Sequence, residues 1–188
     1  MKILLFGGTF DPPHMGHMAL LRSALGEVQP DLALVVPAGL PPHKLASATD
    51  GALRFAMCSA FLKIDPRVKR LRFEIDRPGK SYTFDTVHYL RQRWPGCEVF
   101  LALGSDMLLS FTTWYESSKL LAQVTLVAQS RSESFKIAFS DCIGVKSASI
   151  QATSGSGGGC SGPDSDGDSF SAGNATGFEI WKGEAGAG

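Results

Sequence analysis

The chain predicts a doubly wound, Rossmann-like α/β fold: about five parallel strands with helices on both faces, followed by a flexible C-terminal tail. Three observations carry that prediction. Short continuous apolar runs recur at Ile3–Phe6, Leu32–Val36, Leu71–Ile75, Val99–Leu103 and Val124–Ala128, and unbroken apolar runs suit strands buried on both faces. Helix-period stretches separate them, at 15–25, 51–63, 83–93 and as a shorter pair within 106–122. The chemically richest segments (7–17, 37–44, 76–86, 104–114 and 129–131) all follow strands. In such a sheet, ligands bind beyond the carboxyl ends of the strands.

The first strand runs into Gly7-Gly8-Thr9-Phe10-Asp11-Pro12-Pro13-His14-Met15-Gly16-His17. Two glycines permit a sharp turn and close approach to a ligand. Met15, Met18, Ala19, Leu21 and Leu25 then mark a helix whose free N–H groups suit an anion. His14 and His17 are three apart and project from one face of that helix start. The glycine turn lacks G-x-G-x-x-G spacing and the G-K-[ST] ending of a P-loop. Two surface histidines, or half of a metal site, are the competing readings. No Cys, Asp or Glu stands at ligand spacing beside them, so no protein metal site is expected.

Pro37-Ala38-Gly39-Leu40-Pro41-Pro42-His43-Lys44 leaves the second strand, and Lys44 can place a mobile charge over a phosphate, if it is more than an idle loop lysine. Arg54, by itself, reads as a solvated helix arginine. In Ser81-Tyr82-Thr83-Phe84-Asp85-Thr86, Thr83 is a plausible N-cap of the following helix. Gly104-Ser105-Asp106 follows the fourth strand, where an acid commonly takes ribose hydroxyls. Trp114 offers a flat face to an aromatic ring, although on its own tryptophan more often packs in a core.

The dense match at G-G-T-F-D-P-P-H-M-G-H resembles the (H/T)-x-G-H signature of the nucleotidyltransferase superfamily, specifically the bacterial nicotinate-nucleotide adenylyltransferases. P-P-H-K, R-x-x-M at Arg54–Met57, S-Y-T-x-D-T and G-S-D-M…W are similar to further segments of that family. The resemblance implies adenylyl transfer from ATP to nicotinate mononucleotide, with His14, His17 and Lys44 catalytic. It assigns Gly7, Gly8, Thr9, Phe10, His14, His17 and Arg131 to ATP, and Lys44, Thr83, Gly104, Asp106 and Trp114 to the mononucleotide. It also implies Mg²⁺ carried by ATP. P-P-H-K and Trp114 set the chain apart from the pantetheine-phosphate branch.

At 188 residues the chain is one domain by length. Residues 1–131 form the expected nucleotidyltransferase domain, with fifteen Lys/Arg against eleven Asp/Glu, a mild surplus that suits an anionic small ligand. No basic stripe with interleaved aromatics points to nucleic acid. No apolar run is long enough for a membrane span, and the N-terminus lacks a signal-peptide pattern. Cys58, Cys97, Cys142 and Cys160 are scattered like reduced thiols of a cytoplasmic protein. Residues 132–188 diverge: 151–188 hold eleven of twenty-one glycines, a composition too poor in apolar surface to order itself, and only Phe178–Trp181 is able to dock. The family's late I-S-S-T-x-I-R segment is missing. Ser147–Thr153 is its nearest echo and lacks the arginine. A reading-frame shift would leave such an end, and translating the other frames of the coding DNA tests it. A nucleotide-binding relic without productive ATP binding is the alternative, as is a relative using nicotinamide mononucleotide or pantetheine phosphate.

Overall fold

In the computed structural model, which describes residues 1–40, 49–129 and 178–182, four of the five apolar runs assemble into one sheet. Its strands are β1 (Lys2–Gly8), β2 (Leu32–Pro37), β3 (Val68–Arg70), β4 (Glu98–Leu103), β5 (Val124–Gln129) and β6 (Phe178–Lys182). Their order across the sheet is β3-β2-β1-β4-β5-β6. The first five pair in parallel, as the apolar runs predict. The segment expected to dock does so as a strand: β6 pairs antiparallel with β5. Lys44, Arg131 and the glycine-rich stretch predicted to be flexible lie outside the described residues.

The helices are α1 (Met15–Val28), α2 (Gly51–Met57), α3 (Phe73–Asp76), α4 (Thr83–Arg93), α5 (Ser105–Leu109) and α6 (Ser117–Leu121). Because strand side chains alternate between faces, the sheet has two cores. Ile3, Leu5, Val36, Leu101 and Leu126 share one with Val87 and Leu90 of α4. Leu4, Phe6, Val35, Ala102 and Val127 share the other with Leu21, Ala24 and Leu25 of α1 and with Phe61. None of the described helices is long and apolar enough to cross a membrane. Cys58 and Cys97 are buried free thiols.

Two expectations change. The stretch predicted to run as one helix over 51–63 is α2 followed by a tighter 3₁₀ segment, Cys58–Lys63. The third strand is Val68–Arg70 and not Leu71–Ile75. Val68, only 2% exposed, anchors it in the core, and the Leu71 N–H gives a last bond to the Val35 carbonyl at 2.9 Å. The chain then leaves the edge and coils as α3, which carries Glu74 inward. An apolar–polar alternation in L-R-F-E-I looks like a strand, but Glu74 is one of its buried residues.

β1 and β4 are adjacent, yet one connection from the β1 side climbs toward β2 and the other returns through β4. That reversal opens a crevice at their carboxyl ends. Leu101, 1% exposed on the central β4, tests how far the two-sided core holds this crevice. Leu101→Ala should cost about 2–5 kcal/mol, the usual range for a large-to-small change in a close-packed core, read as a lower denaturant midpoint at unchanged slope.

Candidate active site

A cleft of about 750 Å³ occupies the crevice, lined by the turn after β1, the segment 81–83, the start of α5 and the Trp114–Tyr115 pair. Its upper wall begins where β1 ends. Gly8 carries no side chain because a Cβ there would meet the Phe10 ring at 2.9 Å. Neither Gly7 nor Gly8 supplies the sharp turn through a left-handed conformation, as their sequence suggests. Phe10 takes it, at φ 50°, and its ring is 1% exposed. Burying that ring repays the backbone strain.

His14 is the N-cap of α1, and His17 lies one turn in. Their rings stack at 3.7 Å between centroids, so the spacing does bring them together. Phe10 meets His17 edge-on at 5.0 Å. The His14 backbone N–H donates to His17 Nδ1 at 3.2 Å. Burial first, then the neighbouring His14, pushes the His17 pKa down to about 4, against a smaller opposing pull from Asp106. His17 is therefore neutral at physiological pH. With Nδ1 accepting, its one proton stands on Nε2.

Asp106 lies in the first turn of α5, and Gly104 is that helix's N-cap. A Cβ on Gly104 would meet Asp106 Oδ1 at 2.7 Å, so this glycine makes room for the acid. Trp114 is half-buried: it rests on Phe111 at 5.4 Å and also lines the cleft. Tyr115 packs on Tyr82 in a tilted ring contact at 4.5 Å, linking the Trp114 loop with the entry to α4.

Thr83 is not the N-cap of α4. That position is Tyr82, with extended φ, and Thr83 is the first helical residue. Two other hydroxyls near this entry bond to Glu74. Thr86 donates to Glu74 Oε1 at 2.6 Å, and Ser81 donates to the Glu74 carbonyl at 3.3 Å. The N-terminus of α4 thus has no side-chain cap, and Ser81, Tyr82 and Thr83 at that end line the cleft, a setting that suits an anion.

Sequence reasoning missed three residues. Arg54 is not solvated but 3% exposed. Its guanidinium donates to the carbonyls of Thr9 at 2.9 Å, Ala38 at 2.7 Å, Gly39 at 3.2 Å and Thr49 at 3.2 Å. Gly39 is needed because a Cβ would overlap the Glu74 carbonyl. Glu74 lines the cleft and is buried, which raises its pKa to about 7 despite the Thr86 hydrogen bond and nearby Arg77, with Asp85 adding to the rise. Only Arg54 had a signal, its R-x-x-M setting. Among the described residues no group of three or more His, Cys, Asp or Glu could hold a metal ion.

Comparison with known proteins decides the kinship. Residues 5–154 match the cytidylyltransferase-like family. The "probable nicotinate-nucleotide adenylyltransferase" of Exiguobacterium sibiricum is 40% identical over 131 residues, 70% of this chain and 69% of that one. The nicotinate-nucleotide adenylyltransferase of Bacillus subtilis is 37% identical over 131 residues, 69% of each chain. This chain belongs to the nicotinate-nucleotide adenylyltransferase family. The family's class is that of nucleotidyltransferases. A Plasmodium falciparum nicotinic acid mononucleotide adenylyltransferase solved with NaAD shares the fold, with TM-score 0.59 and 20% identity over 73% of this chain and 71% of that one.

The two perturbed groups titrate with opposite effect on stability. His17 binds a proton more readily unfolded, near 6.5, than folded, near 4, so its contribution is lost as pH falls through that window. Glu74 binds a proton more readily folded, near 7, than unfolded, near 4.5, so its contribution is lost as pH rises through that one. Between pH 4.5 and 6.5 the two oppose each other. His17→Gln should leave stability falling with pH there, and Glu74→Gln should leave it rising. Denaturant midpoints across the range check both signs.

Proposed function

We propose that this chain transfers the adenylyl group of ATP to nicotinate mononucleotide, releasing pyrophosphate and forming nicotinate adenine dinucleotide. The observation that carries this reading is the pairing of two walls in one cleft. On one side stand two stacked histidines at a helix start. Opposite them are an uncapped helix N-terminus and a half-buried indole.

The mononucleotide's phosphate is ionised at neutral pH and needs no general base. One of its oxygens forms a bond to the α-phosphorus of ATP as the bond from that phosphorus to the bridging oxygen breaks, and pyrophosphate carries away the electron pair. Catalysis then consists of alignment and charge stabilisation. His17 offers Nε2–H to a phosphate oxygen, and the field of a bound phosphate raises the ring's pKa toward protonation as charge builds. His14, more exposed, serves the same phosphates from the rim, with Gly7, Gly8, Thr9 and Phe10 shaping the turn beneath them. Lys44 and Arg131 complete the anion site in this reading. Mg²⁺, held by ATP oxygens and water, would neutralise phosphate charge. Thr83 and the N–H groups at the start of α4 suit the pyridine carboxylate, Trp114 its ring, and Asp106 with Gly104 the ribose. The division into a catalytic part, 1–131, and a divergent end, and a cytoplasmic setting, belong to the same proposal.

A second reading rests on one observation: the echo of the late phosphate-binding segment at 147–153 has no arginine. In that case the chain keeps the mononucleotide but not productive ATP binding. Pyrophosphate release from ATP with nicotinate mononucleotide, nicotinamide mononucleotide and pantetheine phosphate as acceptors tests the proposal. The acid mononucleotide should be preferred. No release with any acceptor, alongside normal mononucleotide affinity by calorimetry, would establish the relic.

Two variants probe the walls separately. His17→Ala should lower turnover by about 10²–10³-fold, the scale of one lost donor to a developing phosphate charge, with little change in melting temperature. Trp114→Ala should weaken mononucleotide binding by about 1–3 kcal/mol, the value of an aromatic stack on a base-like ring, and leave ATP binding nearly intact. An unchanged mononucleotide affinity would return Trp114 to a packing role alone.

A further inference from the structure

Beneath the cleft lies a cation that the mechanism above does not use. Arg54 is 3% exposed and its Nε, Nη1 and Nη2 atoms all donate to main-chain carbonyls. Carbonyl oxygens satisfy its hydrogen bonds but do not cancel its charge. Among the described residues the ion pairs are Arg67–Asp65, Arg72–Asp76, Arg77–Asp85 and Lys119–Glu116, and none involves Arg54. A buried charge without a counter-charge is costly. If the position served only to fill space, an apolar side chain would do so at lower cost.

Two of the carbonyls it holds, those of Thr9 and Ala38, belong to residues that line the cleft. A third bond closes the same corner: the Ala38 N–H donates to the Gly8 carbonyl at 2.9 Å. The positive charge therefore sits directly behind the turn that faces the histidines, fixed in place by the bonds that tie the ends of β1 and β2 together. A planar guanidinium can satisfy several carbonyls in fixed directions, as a lysine ammonium on a flexible stem cannot.

We propose that Arg54 is a positioning residue and a buried fixed charge: it draws substrate phosphates into the cleft without touching them, and, with no counter-ion beside it among the described residues, the nucleotide serves as one. The inference rests on the reading of the ligand as a nucleotide and deepens it. The charge acts through a low-dielectric floor rather than through solvent, so its effect resists screening by salt more than that of a surface lysine. It acts on phosphate charge alone, which separates it from a residue that merely keeps the cleft in shape.

The test compares ATP with adenosine, which shares the base and ribose but carries no phosphate. Calorimetry on the full chain should show Arg54→Gln weakening ATP by about tenfold or more, an interaction on the scale of charges several ångströms apart near a protein surface. Adenosine affinity should stay within about twofold, below the threshold of one such interaction. Arg54→Lys, which keeps the charge and loses the fork, should retain the wild-type ratio of ATP to adenosine affinity, with turnover reduced because the turns are less well held. A folded Arg54→Gln protein with an unchanged ratio overturns the proposal. If that variant does not fold, Arg54→Lys decides alone: a preserved ratio supports the fixed charge and a collapsed ratio overturns it. Wild-type protein that binds ATP but adenylates no mononucleotide would sink the functional reading and leave this inference standing, while adenylation with an unchanged ratio would do the reverse.

Discussion

A chain of buried polar contacts runs under the whole cleft, and the positions of its walls depend on it. Arg54 binds the carbonyls of Thr9, Ala38 and Gly39. The Gly39 N–H donates to Ser81 Oγ at 3.2 Å, and Ser81 in turn donates to the Glu74 carbonyl. The Glu74 carboxyl receives the Thr86 hydroxyl. Five segments that are distant in sequence are thus locked in one network. Loops at strand ends have little apolar surface of their own to bury, so directed hydrogen bonds in a low-dielectric setting must fix them. Removing a member would leave its partners buried and unsatisfied, which costs more than the bond itself contributes.

The network also explains why the cleft can be polar and still well defined. The β-strands deliver backbone to the carboxyl edge of the sheet in fixed register, with Phe6 opposite Val35 on one side and Ala102 on the other. Beyond that edge the ladder ends, and side-chain donors take over from sheet bonds. Gly39 marks the tightest point, where the chain passes against the Glu74 carbonyl with no room for a Cβ.

Within this frame the electrostatics are arranged for an anion. His17 is held neutral by burial and by its stacked neighbour, so it donates a hydrogen bond without competing for solvent counter-ions. Glu74, buried beside the cleft, has its pKa raised to about 7 by that burial, and the protonated share this leaves near neutrality limits repulsion of a bound carboxylate or phosphate. The two shifts arise chiefly from the same cause, desolvation, and each favours the neutral form of its group. Membership of the nicotinate-nucleotide adenylyltransferase family agrees with a site suited to highly charged substrates.

Much of this was legible in the sequence because it depends on local pattern. Unbroken apolar runs must lie in a sheet covered on both faces, and His14 and His17, three apart at a helix start, must share a face. G-G-T-F-D-P-P-H-M-G-H, P-P-H-K and S-Y-T-F-D-T carried the family resemblance by residue identity alone. What sequence could not decide was whether a polar residue turns outward or inward. Arg54 read as solvated, and Glu74 fell inside an expected strand, Leu71–Ile75. Thr83 looked like a cap, and Gly7 with Gly8 like the residues that make the sharp turn. Each was settled by contacts of the folded chain: the Thr9 and Ala38 carbonyls for Arg54, Thr86 for Glu74, Tyr82 taking the N-cap position ahead of Thr83, and Phe10 taking the positive φ beside Gly8. Hydrophobic periodicity reports the mean direction of an element. Only the tertiary structure brings together the partners that make burial of a polar group affordable.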